Sequence, residues 1–260
     1  MLDRLRIARA QRAQAKHAPR LADHPAVFHI THHKAGSQWI LAILRRLVRP
    51  IVVNPDWEHR FLHEQELTVG KVYPTVYMSR PEFEALDLPE RWMRFIVIRD
   101  FRDAFVSAYW SLKLSHPEGL GAGEGTREFL KYASLHDGLL RLIPDWQSEA
   151  DLISSWIGAE EGFVRYEDMI ADDVGVLVPL LYDRLGLARS PEQARRVVES
   201  ARFDAMTKGR PRGAEDVTAH HRKGVPGDWR NYIVGPVADA FKERYGQLLI
   251  DTGYESDLDW

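Results

Sequence analysis

Cysteine is absent from all 260 residues, so neither a disulfide framework nor a thiolate metal site is available. Also absent is any apolar run near the roughly 20 residues that span a bilayer. The first 24 residues carry Arg4, Arg6, Arg9, Arg12, Lys16 and Arg20 with no continuous apolar stretch behind them, unlike a secretory leader. An excess of positive charge is missing too. With a net charge of −3 and a pI near 6.4, no overall field recruits nucleic acid or a membrane surface. Any bound anion is therefore held by a few local groups. The nucleotide-triphosphate loop order, Gly-x-x-x-x-Gly-Lys-Ser/Thr, does not occur, which argues against a kinase or NTPase.

What is present is the material of an ordinary globular protein, 45% hydrophobic and 28% charged, without repeats. Residues 1–24 read as a basic N-terminal extension or helix, and 25–260 as one folded domain. Ala26–Thr31 reads as a short buried strand, followed by a polar loop at His32–Ser37. Trp39, Ile40, Ile43, Leu44, Leu47 and Val48 then recur at helical spacing. Val72–Met78, Phe95–Ile98 and Phe163–Tyr166 are further strand candidates. Helices are expected after Asp100, at about 174–186 and 191–201, and from about 236 to 250. Gly119–Gly125 holds four glycines in seven residues and reads as a mobile loop. Strands alternating with helices predict an α/β fold: a single-domain three-layer sandwich with a mainly parallel central sheet flanked by helices. Ligands of such sheets sit at the carboxyl ends of the strands, which directs attention to residues 31, 98 and 166.

At the first of these ends stands His32-His33-Lys34-Ala35-Gly36-Ser37-Gln38-Trp39. A lysine and a glycine at a strand-to-helix junction provide backbone N–H groups, a helix dipole and a cation for one phosphate. At the second, Arg99-Asp100-Phe101-Arg102-Asp103 is followed by Ser107, eight residues after Arg99. An arginine fork and a hydroxyl two turns along can grip a phosphate from two sides. Near the C-terminus, Arg222-Lys223-Gly224-Val225-Pro226-Gly227-Asp228-Trp229 adds two more cations and two glycines.

The order of these elements resembles the sulfotransferases that use PAPS (3′-phosphoadenosine-5′-phosphosulfate). The resemblance covers roughly residues 26–235. It implies that Lys34 contacts the bridging oxygen of the donor, while Ala35, Gly36, Ser37 and Gln38 cradle the 5′-phosphate. It further implies that Trp39 and Phe203 sandwich the adenine, with Tyr166 reaching toward it, and that Arg99, Ser107, Arg222, Lys223 and Gly224 hold the 3′-phosphate. Two positions depart from the usual pattern: Gln38 replaces a second hydroxyl residue, and Phe101 stands where proline is common.

The implied reaction moves the sulfuryl group from PAPS to a hydroxyl or amine acceptor by in-line displacement, leaving adenosine 3′,5′-bisphosphate (PAP). No metal is implied, since no cluster of carboxylates resembles a Mg²⁺ site. The resemblance also leads one to expect a cytoplasmic protein with a small-molecule, glycan or lipid acceptor, without nucleic acid or an integral membrane segment. Oligomeric state stays open. Where relatives place a basic histidine, Met78-Ser79-Arg80-Pro81 has Ser79, a poor base at neutral pH. Glu58, 24 residues after Lys34, is the first candidate for that role and His63 the second, with Glu64 beside it. His32, His33 and His116 read as polar loop residues. Trp57, Tyr73, Tyr77, Tyr109, Trp110 and Trp146 are candidates for lining an acceptor cleft.

Overall fold

The protein was analysed as a computed structural model that describes residues 21–55, 66–115, 124–219 and 222–260. Four strands form one sheet in the order β2-β1-β3-β4, every neighbouring pair parallel. They are β1 (Ala26–Thr31), β2 (Val72–Val76), β3 (Trp92–Ile98) and β4 (Phe163–Arg165). The mainly parallel α/β architecture is as expected from the sequence.

Period-two alternation sends successive side chains of each strand to opposite faces. Ala26, Phe28 and Ile30 of β1 join Ile96 and Ile98 of β3 in one core. Val27 joins Phe95 and Val97 in the other. Both faces are therefore covered, which is why these strands read as continuous apolar runs. Leu21 already packs into the second core. His29 is fully buried within β1, stacked on Phe95 at 4.8 Å, and burial pushes its pKa down to about 3.

Helix α1 (Ser37–Val48) follows β1 and buries Trp39, Ile40, Ile43, Leu44, Leu47 and Val48. Helix α2 (Arg80–Glu84) follows β2, and α3 (Phe101–Trp110) follows β3. The Asp100 side chain accepts from the Arg102 N–H at 3.0 Å and so caps α3. A π-helical turn at Ser111–Ser115 extends α3. Beyond β4 come α7 (Tyr166–Ala171), α8 (Asp173–Pro179) with a π turn at Leu180–Arg184, α9 (Pro191–Ser200) and α10 (Phe203–Met206). The last helix, α11, spans Pro236–Asp251.

Three differences from the sequence reading matter. Strand β2 stops at Val76 rather than Met78. Its pairing with β1 shifts register between Phe28 and Ile30, and Thr75 takes φ 57. The run 124–155 holds three helices that the reading passed over: α4 (Glu124–Tyr132), α5 (Leu135–Asp145) and α6 (Gln147–Ser155). Of the glycine-rich stretch 119–125, the described part, Glu124 and Gly125, begins α4 instead of continuing a loop.

The chain runs from β1 to β2 on one side and then returns to β3 on the other. The loops leaving β1 and β3 therefore diverge to opposite sides and open a crevice between them. Lys34 and Arg99 lie on those two loops.

Candidate active site

The loop after β1 is built around two left-handed residues, Lys34 at φ 66 and Gly36 at φ 87. At Gly36 a side chain is excluded twice over. The conformation favours glycine, and a Cβ would stand 2.8 Å from the Tyr166 ring. Gly36 caps α1, so the first N–H groups of that 12-residue helix are directed at the loop. Ala35 is fully buried, and the Ser37 hydroxyl lies 2.8 Å from the Tyr77 phenol. Burial pushes that phenol above its ordinary range. Gln38 is half-buried one position further on.

Lys34 reaches across to the π turn, where its amine donates to the Ser111 hydroxyl at 3.1 Å. The charges that act on it are cations. Burial, together with Arg99 and Arg222, pushes its pKa down to about 8. Arg99 donates to the Lys34 carbonyl at 3.1 Å, lies 4.7 Å over the Tyr166 ring and sits 3.9 Å from Asp103. Its Nε is buried without a partner among the described residues. The backbone of Arg99 is fixed as well, because its N–H donates to His32 Nε2 at 3.1 Å. A ring accepting there carries its proton on Nδ1, and burial pushes the His32 pKa down to about 4, keeping it neutral.

A shallow open cleft is lined by Lys34, Ser107, Trp110, Ser111, Val217, Ala219 and Arg222. Residues more than 180 positions apart in sequence thus meet at one opening. The guanidinium of Arg222 is paired with Glu215 and with Asp228 at 2.6 Å, and Lys223 joins Asp228 at 2.5 Å. Behind the cleft, Asp103 of α3 accepts from the N–H groups of Gly227 at 2.6 Å and Trp229 at 2.9 Å. That carboxylate bolts the C-terminal loop to the helix following Arg99. Burial pushes the Asp103 carboxyl above its usual range despite Arg99 and the two backbone donors.

The adenine candidates are placed separately. Trp39 is buried, meets Tyr166 edge-on at 6.2 Å, and has an indole N–H without a partner among the described residues. Phe203 packs on Gly224, where a Cβ would stand 2.6 Å from the ring, and carries Arg210 over it at 5.1 Å.

Glu58, His63 and Glu64, with Trp57 and His116, lie outside the described residues. Ser79 is fully engaged as a helix cap: its hydroxyl and N–H both bind Glu82 Oε2 at 2.8 Å. Tyr73, Tyr109 and Trp146 belong to the core rather than to a cleft, because side chains this buried cannot face an acceptor. Trp110 alone of the described aromatic candidates lines the opening.

Sequence reasoning missed Asp103, Ser111, Glu149, Glu215 and Asp228. Asp103 and Asp228 stand inside quoted motifs, but their partners are remote. Glu149 comes from α6: the His33 N–H donates to its Oε2 at 2.9 Å, and His33 Nδ1 lies 2.7 Å from its Oε1. Burial alone pushes the Glu149 carboxyl up, but the His33 ring and backbone with nearby His32 hold it below the usual range. His33 also stacks on Tyr77, with ring centroids 4.1 Å apart. Among the described residues, no group of three or more His, Asp or Glu side chains is placed to hold a metal ion.

A left-handed loop after β1, cationic side chains after β3 and near the C-terminus, and a parallel sheet beneath them describe an α/β fold whose cleft suits an anion. The comparisons with known proteins agree. A sulfotransferase domain matches residues 94–253, more than half of the chain. Relatives include the 3-alpha-hydroxysteroid sulfotransferase of Cavia porcellus, 25% identical over 254 residues (88% of this chain, 84% of that protein). The 3-beta-hydroxysteroid sulfotransferase of the same species is 23% identical over 255 residues, with the same coverage. Among solved structures, the mouse sulfotransferase SULT7A1 complexed with PAP shares the fold at TM-score 0.57 and 18% identity, covering 89% of this chain and 88% of that one. Retinol dehydratase in complex with androsterone and PAP follows at TM-score 0.50 and 17% identity, covering 92% and 85%. The chain belongs to the sulfotransferase family and is a PAPS-dependent enzyme that moves a sulfuryl group to an acceptor.

Proposed function

We propose that the cleft between the β1 and β3 loops is the PAPS site of this sulfotransferase and that the acceptor is a hydroxyl-bearing small molecule. The observation that carries the assignment is the meeting of Lys34, Ser107 and Arg222 at one opening, with Arg99 behind them. The residues fit a multiply charged anion. Lys34 feels the charges of Arg99 and Arg222, and Arg99 has an idle donor, both of which a phosphate oxygen would relieve.

The donor supplies an activated sulfuryl group on its 5′-phosphate. In this reading the α1 N-terminus, with Ala35, Gly36, Ser37 and Gln38, holds the 5′-phosphate. Arg99, Ser107, Arg222, Lys223 and Gly224 hold the 3′-phosphate, and Trp39, Tyr166 and Phe203 frame the adenine. Lys34 is the cation beside the leaving oxygen, where a preorganised charge stabilises the transition state more than the ground state. Asp103 and Asp228 position the C-terminal cations rather than touching donor. The hydroxysteroid sulfotransferases among the relatives support a small hydroxyl acceptor, and Trp110 offers it an aromatic wall. A cytoplasmic location belongs to the same reading. No described helix is long and apolar enough to cross a membrane, and cell fractionation tests the location.

Calorimetric titration with PAP tests the donor site. Wild type is expected to bind without added metal, and Arg99→Ala to bind at least tenfold more weakly. Labelled-sulfate transfer from PAPS to phenols, hydroxysteroids and sugars then identifies the acceptor class. Failure of the wild type to bind PAP would remove the assignment.

A further inference from the structure

We propose that His33 is the general base that takes the acceptor proton, and that Glu149 is the residue that positions it. The proposal rests on the donor site above and names the group that completes it. Sulfuryl transfer to a hydroxyl needs a proton acceptor within reach of the reacting oxygen. Ser79 cannot serve, since both its hydroxyl and its N–H are spent on Glu82 in the cap of α2. His32, the other histidine of the loop, is fully buried and already accepts from Arg99. His33 differs from both. It immediately precedes Lys34 in the loop at the end of β1, and its side chain is 21% exposed.

Its surroundings have the logic of a base with an orienting carboxylate. Glu149 fixes both the backbone and the ring of His33, at 2.9 and 2.7 Å. With Nδ1–H donated to an ionised carboxylate, the lone pair of the neutral ring is on Nε2. No hydrogen bond joins Nε2 to a described residue, and the side chain as a whole is partly exposed. Stacking on Tyr77 fixes the ring plane, and Tyr77 is itself held by Ser37 of the phosphate loop. The titratable neighbours of the ring are Glu149 from α6, Tyr77 from the end of β2, and His32 and Lys34 from its own loop. A carboxylate this buried, spent on one partly exposed histidine, makes more sense as a device for fixing a tautomer than as a structural ion pair.

In the reaction, the acceptor oxygen bonds to sulfur while its proton passes to His33 Nε2. The bond between sulfur and the bridging oxygen breaks, and its electron pair stays on the 5′-phosphate of PAP. Glu149 stabilises the imidazolium through Nδ1–H, and the Nε2 proton leaves to solvent after product release.

The test uses the full chain and needs no knowledge of the acceptor for its first measurement. Nitrogen-15 spectra of the PAP complex are expected to show neutral His33 as the Nδ1–H tautomer, and Glu149→Gln to shift the ring population toward Nε2–H. His33→Gln is expected to reduce labelled-sulfate transfer about 100-fold or more while leaving PAP affinity within about threefold. Glu149→Gln should lower kcat while leaving KM for PAPS within about threefold, a split that loss of a merely structural contact would not produce. An Nε2–H tautomer in the complex overturns the proposal, and so does near-wild-type transfer by His33→Gln. Because PAP binding is measured separately, a wild type that binds no PAP sinks the donor-site reading instead.

Discussion

The low pKa of Lys34 makes a quantitative prediction about donor binding. Lysine ordinarily titrates at 10.5, and here burial with Arg99 and Arg222 pushes it down to about 8. Bringing phosphate charge into the cleft replaces the repulsion with attraction and returns the amine toward its ordinary range. Between those two values, binding takes up a proton. At pH 7 the free amine is already mostly charged, so uptake is about 0.1 proton, rising to ~0.9 at pH 9. PAP affinity should therefore fall roughly tenfold per pH unit above about pH 8. The same linkage acts on folding with the opposite consequence. A depressed lysine penalises the folded state at every pH below about 8, and the penalty fades as pH rises through 10.5. Its upper bound is about 3 kcal/mol. Calorimetry in two buffers of different ionisation enthalpy measures the uptake directly. Lys34→Arg, which stays charged throughout, should abolish it and flatten the pH dependence. Lys34→Met should raise the Tm of the ligand-free protein by a few degrees while eliminating turnover. Uptake below about 0.2 proton at pH 9, or uptake that survives in Lys34→Arg, refutes the argument.

Two other side chains give distinct signatures. Asp103→Asn keeps one acceptor but loses the charge that binds two backbone donors. It should cost about 1–3 kcal/mol in urea melts and weaken PAP binding by releasing the C-terminal loop. Glu215→Gln removes one of the two carboxylates on Arg222, so PAP should bind several-fold more tightly, with the gain absent in an Arg222→Lys background.

Much of the proposed donor site could be read from the sequence because its parts lie in contiguous stretches at the ends of strands. A lysine and glycine after β1, an arginine after β3 and the Arg222–Trp229 run each carry their own chemistry. Parallel strands buried on both faces were equally plain, since they appear as short unbroken apolar runs. What stayed hidden was pairing at long range. Nothing beside His33 announces that Glu149, 116 residues later, is its partner. The helix that delivers Glu149 follows α5, which carries Pro144 internally, and α4, which begins within a glycine run. Leu139, Leu142 and Ile143 do recur at helical spacing there, and Ser134 accepts from the Asp137 N–H as an N-cap at 3.1 Å. Those were the available signals. Ser79 shows the converse: it was set aside as a base on its chemistry, but its part in a capping box with Glu82 emerged only from the geometry.

The hydrogen bonds that Asp103 accepts span 124 and 126 residues of sequence. Closing so long a loop carries an entropic cost that only prior assembly of the sheet can reduce. The cleft is therefore expected to form late when the chain refolds from denaturant, with PAP binding lagging the far-ultraviolet circular dichroism signal in stopped-flow refolding. A chain that has made only its first 200 residues has Lys34 and Arg99 but lacks Val217, Ala219 and Arg222, which line the same opening. With the donor site as proposed, competence to bind PAP arrives with the C-terminal segment, which would make PAP binding a reporter of the final stage of folding.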